Sequence, residues 1–135
     1  MPWLSDAELA NLLHSLKAEG RLVENQPHPK AVENRCHENA AAYVDEHPGC
    51  TLARGWLIEE FVGGRFFIAH TVVRHADGSR IDPTPLMGQY RFISHPGTEE
   101  DFALQRHNRP RVQYPPLDPR DFLYAAPIEE PDEFY

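Results

Sequence analysis

The chain has 135 residues, of which 41% are hydrophobic and 25% charged, with a formal net charge of -8. That length supports one domain with its own core, and no apolar run approaches a membrane span. The basic residues are scattered singly, which argues against a nucleic-acid surface, because such a surface needs clustered positive charge.

No basic-then-apolar leader opens the chain, so a cytoplasmic protein is expected, or one exported by a signal-independent route. Cys36 and Cys50 are expected as free thiols in a reducing compartment. One compact α+β domain over residues 1–127 and an acidic C-terminal tail over 128–135 are the expected organisation. Nothing in the sequence sets the oligomeric state.

Ser5-Asp6-Ala7-Glu8 forms a capping box, with Leu4 and Leu9 at staple positions. Leu9, Leu12, Leu13 and Leu16 follow at helical spacing, and Gly20 is a suitable stop. Residues 21–33 read as a loop. Asn34 is placed to cap a second helix that should run to about His47, before Pro48-Gly49. On it, Cys36, Ala40, Tyr43 and Val44 share a face, with Asn39 close by.

Residues 51–62 and 65–75 then read as two strands around a Gly63-Gly64 turn. The second is apolar on both faces, as a covered central strand would be. Ala76-Asp77-Gly78 suits a three-residue loop with Gly78 in the left-handed region. In that register His75 pairs with Ser79 and Val72 with Asp82, so His70 is the diagonal neighbour of Asp82 on one sheet face. A two-residue loop would throw His70 to the opposite face. Residues 89–94 read as a further strand. Thr98 caps a helix with acids in its first turn and Arg106 and His107 in its last. Residues 109–127 read as proline-punctuated extended chain. The sum is an α+β fold: a small antiparallel sheet of about four strands packed against an N-terminal helix and a second, nucleophile-bearing helix.

The chemistry centres on Cys36, His70 and Asp82. A helix N-terminus and a nearby imidazole both lower a thiol pKa, and the thiolate is the reactive form. A base on a strand and a carboxylate to orient it complete the parts of an activated nucleophile. The Cys36-His37-Glu38-Asn39 run, then Ala69-His70-Thr71-Val72-Val73, then Gly78-Ser79-Arg80-Ile81-Asp82-Pro83-Thr84, resembles the papain-like fold. Within it the chain is most similar to the compact transglutaminase-like thiol hydrolases, over about residues 30–85. The resemblance implies Cys36 as nucleophile, His70 as general base and acid, and Asp82 as its orienter. It implies acyl transfer through a thioester, to water or to an amine, with no cofactor. The substrate would be a peptide, a protein side chain or a small amide. The backbone N–H of Cys36 is one oxyanion donor, and Gln26, Asn25 and Asn39 are candidates for oxyanion or substrate contacts. Thr71 and Arg35 stand where many relatives carry an aromatic residue.

Three other readings compete. Cysteine is often simply packed in a core, and His37 reads as a capping or surface histidine. A zinc set drawn from Cys36, His37, His70, His75 and Asp82 is disfavoured, because no paired-ligand spacing is present and His70 and His75 face opposite sides of their strand. Finally, a non-catalytic protein-binding module could use the same fold, presenting Tyr114, Phe122, Tyr124, Phe134 and Tyr135.

Overall fold

Capping boxes at Ser5 and Thr98 start two of the three α-helices among the described residues, α1 (Asp6–Ser15) and α3 (Glu99–Asn108). In each, the cap side chain accepts the N3 backbone N–H while the N3 carboxylate reaches back to the cap's own N–H. The computed structural model describes residues 4–86 and 88–117, so the acidic tail and Phe122, Tyr124, Phe134 and Tyr135 lie outside the described residues. Leu4 packs against the core beside Leu9, as a staple requires. A short 3-10 turn, Lys17–Glu19, extends α1 as far as Gly20.

The segment read as a loop contains two very short strands, β1 (Arg21–Leu22) and β2 (Glu24–Asn25), before α2 (Cys36–Glu46). Asn34 does not cap α2. It sits at φ 61°, a left-handed conformation that Asn tolerates, and Arg35 takes the cap position, its side chain making no capping hydrogen bond and instead meeting Glu38 at 3.4 Å. The long hairpin follows as β3 (Thr51–Phe61) and β4 (Gly64–Arg74), then β5 (Arg80–Asp82), β6 (Arg91–Ser94) and β7 (Arg111–Tyr114).

Phe61 pairs with Gly64, so the turn is Val62-Gly63 rather than Gly63-Gly64. Gly63 takes the positive φ of 92°. Gly64 belongs to the strand, where a Cβ would stand 2.2 Å from the Tyr114 carbonyl oxygen. That glycine therefore serves the close approach of β7.

The sheet is larger than expected and mixed. Its order is β1-β6-β3-β4-β5-β2, with β7 also on β4, and β2 runs parallel to β5. Val23 alone separates β1 from β2, yet these pair with strands on opposite flanks, so the sheet curls into a nearly closed ring.

Alternation along β4 separates two cores. Phe67 and Ala69 face outward with Trp56, Ile93 and Val112 beneath α1 and α3. Val73 and Ile81 meet Ala40 of α2 on that same face. Ile68 and Val72 face inward with Ala53, Leu57 and Phe92. His70 shares the inward face, directly opposite Gly55.

Candidate functional site

Gly78 closes the β4–β5 loop at φ 89°, its N–H bonded to the His75 carbonyl, and His75 N–H bonds Ser79 O at 2.8 Å. Val73 pairs with Ile81 and Arg74 with Arg80, which is the register of the three-residue loop. His70 and Asp82 therefore share the inward face, and His70 Nε2 meets Asp82 Oδ2 at 2.6 Å with both side chains buried. The Nε2–H donates to the carboxylate, which leaves the imidazole lone pair on Nδ1.

Asp82 is held from several sides. Its Oδ1 accepts the Thr84 N–H at 3.0 Å, and its carbonyl accepts the Gln26 N–H at 2.9 Å and Asn25 Nδ2 at 3.1 Å. Asn25 Nδ2 also donates to the Thr84 carbonyl. Asn39 donates to Thr84 Oγ1 and to the Val32 carbonyl and accepts the Val32 N–H. Asn25 and Asn39 thus spend their amides on fixing the Asp82-Pro83-Thr84 segment against α2. Gln26 contributes its backbone, and its side chain is exposed. Thr84, fully buried at the centre of this net, is the site residue that sequence reading missed. Its signal was a polar residue between prolines directly after the acid.

Cys36 opens α2 and is fully buried. Burial pushes its thiol far above the ordinary range, and the Asp82 charge adds to that. Hydrogen bonds from the Thr71 and His37 backbone N–H groups and the Arg106 charge pull the other way without offsetting it. The thiol is therefore shifted opposite to the expected lowering by helix terminus and imidazole, because loss of hydration is the largest influence on it. The thiol is protonated at neutral pH in this closed arrangement.

His37 is not a surface residue. Its Nδ1 lies 2.5 Å from Thr71 Oγ1, which also accepts Arg54 Nη1 at 3.0 Å, and its ring meets Phe102 edge-on. Burial first, then the Arg106 and Arg54 charges, lower its pKa to about 3. The unfolded chain therefore takes up a proton near pH 6.5 that the folded protein refuses until about pH 3. Stability is expected to fall as pH drops through that window, by up to about 1.4 kcal/mol per pH unit. Urea unfolding of His37→Gln across the same window should show a shallower slope than the natural chain; an unchanged slope would refute the assignment.

Cys50 stands apart, partly exposed, with Sγ 3.3 Å from His75 Nδ1 on the outward side. Among the described residues no group of three or more His, Cys, Asp or Glu is arranged to hold a metal ion, and no helix is long and apolar enough to cross a membrane. Comparison with family models, with curated proteins and with solved structures finds no match to this chain.

Proposed function

We propose that this protein is a cysteine-dependent acyl-transfer enzyme in which Cys36 attacks an amide carbonyl, His70 moves the proton and Asp82 orients His70. The observation that carries this reading is the buried 2.6 Å His70–Asp82 hydrogen bond, one residue along β4 from Thr71, whose backbone N–H is among the groups that favour the Cys36 thiolate. With Nε2 engaged by Asp82, Nδ1 is the nitrogen that takes the thiol proton as sulfur bonds to the carbonyl carbon. His70 then returns the proton to the departing amine, leaving a thioester on Cys36. Water or an amine resolves it. The backbone N–H of Cys36, at the start of α2, would be the donor to developing negative charge. The α+β arrangement of a nucleophile helix against a strand bearing the base is what a papain-like, transglutaminase-like core would require. A reducing compartment suits a reaction that needs a free thiol.

A second reading, a non-catalytic binding module with a structural cysteine, is favoured by one observation: the thiol is wholly buried and its pKa is raised. The two part on turnover. A glutamine-containing dipeptide amide incubated with hydroxylamine should yield a hydroxamate with the natural chain. Cys36→Ala should give none, and Asp82→Asn should lose about 10²- to 10⁴-fold. Full turnover in Cys36→Ala would end the enzyme reading. No product from any of a panel of amides, with Cys36 unacylated by mass spectrometry, would favour the module.

A further inference from the structure

Arg74 and Arg80 stand directly opposite each other at the end of the β4–β5 ladder, on the inward face of the sheet. Like charges in that relation repel. Neither guanidinium has a hydrogen bond or an ion pair among the described residues, although the chain carries 21 acidic residues against 13 basic ones. Arg80 is also drawn out of solvent: its Cζ lies 5.9 Å from the Phe92 ring centroid. Burial, and then the Arg74 charge, lower its pKa. A repelling, unneutralised pair, with Arg80 partly buried and Arg74 exposed, lacks a counter-charge in an acidic protein.

The space for one is present. Arg80 lines a cavity of about 500 Å³ together with Arg21, Ser94 and Glu19. Arg74 lines an adjoining cavity of about 250 Å³, and Ser94 borders both. Two carboxylates edge this cleft: Glu19, and Glu99, which is engaged by Arg54 at 3.3 Å. We propose that Arg74 and Arg80 together bind a phosphate-type oxyanion in this cleft, with the Ser94 hydroxyl as a neutral donor and Arg21 at the rim. Cross-strand side chains start about 5 Å apart, close enough for two guanidinium forks to converge on the oxygens of one tetrahedral anion. Neither cavity is lined by Cys36, His70 or Asp82, and the proposal does not depend on the acyl-transfer reading.

The test is thermal unfolding of the full chain with inorganic phosphate or with chloride at matched ionic strength, together with calorimetric titration of phosphate. Phosphate should raise the midpoint by several degrees with a saturating profile, and chloride should not. Arg74→Gln and Arg80→Gln should each raise the midpoint in the absence of phosphate, because the repulsion is relieved. Each should also weaken phosphate binding about tenfold or more. Phosphate and chloride acting alike would overturn the proposal, as would phosphate binding unchanged in both variants. Tighter binding of succinate than of phosphate would overturn the choice of anion. The calorimetric affinity decides the matter if either variant loses stability.

Discussion

Iodoacetamide added to the folded protein at about pH 8 is expected to alkylate Cys50 and to leave Cys36 untouched. Cys50 is partly exposed and lies beside His75, whereas Cys36 has no solvent-accessible surface and a raised thiol pKa. Reaction at Cys36 must wait for an opening of the structure. If that opening costs about 4 kcal/mol, Cys36 reacts roughly a thousandfold more slowly than an exposed thiol. Peptide mapping after timed alkylation reads the two sites separately, and urea below the unfolding midpoint should accelerate Cys36 alone. Comparable rates at both cysteines in the folded chain would refute the closed site. The same burial carries a pH dependence. Above about pH 8.5 the unfolded thiol ionises while the folded one keeps its proton, so stability falls as pH rises, and Cys36→Ala should remove that part of the fall. For the enzyme reading, the acyl donor reaches sulfur only once Cys36 is uncovered, so turnover and alkylation of Cys36 should share one opening step.

Gly55→Ala is expected to be the most damaging single-methyl change in the sheet. A Cβ at position 55 would stand 2.0 Å from the Ile93 carbonyl oxygen and 2.6 Å from Phe92 Cζ. The first obstacle is backbone, so β6 would have to move away from β3 rather than a side chain rotate. The cost should exceed the ~1–3 kcal/mol usual for overpacking, read as the shift in urea midpoint. The damage should reach the candidate site, because Gly55 is the cross-strand partner of His70. A loss below about 1 kcal/mol would mean that β6 yields easily and that its pairing at Ser94 and Ile93 contributes little.

Elements with strong local chemistry were legible. The capping boxes of α1 and α3 specify their own starts through two reciprocal hydrogen bonds each. The His70–Asp82 face followed from one turn, since a one-residue change of loop inverts every side chain beyond it. The two-residue strands β1 and β2 were not legible, because two residues carry no periodicity and their pairing depends on strands distant in the chain. Asn34 illustrates a local ambiguity: the amide that suits a helix cap also tolerates the left-handed conformation it adopts. The state of Cys36 was illegible for a different reason. Its helix and its neighbours can be read from sequence, but burial is a property of the assembled packing. Here burial, not the local charges, sets the thiol's protonation.

The single residue between β1 and β2 has a mechanical consequence. Val23 leaves no slack between a strand held by β6 and a strand held by β5. Neither flank of the ring can come away by itself without pulling on the other, so the two seams behave as one clasp. Asp82 is fastened to that clasp through its carbonyl bonds to Asn25 and Gln26. Release at Arg21–Leu22 would therefore loosen the support of the imidazole on the far side of the sheet.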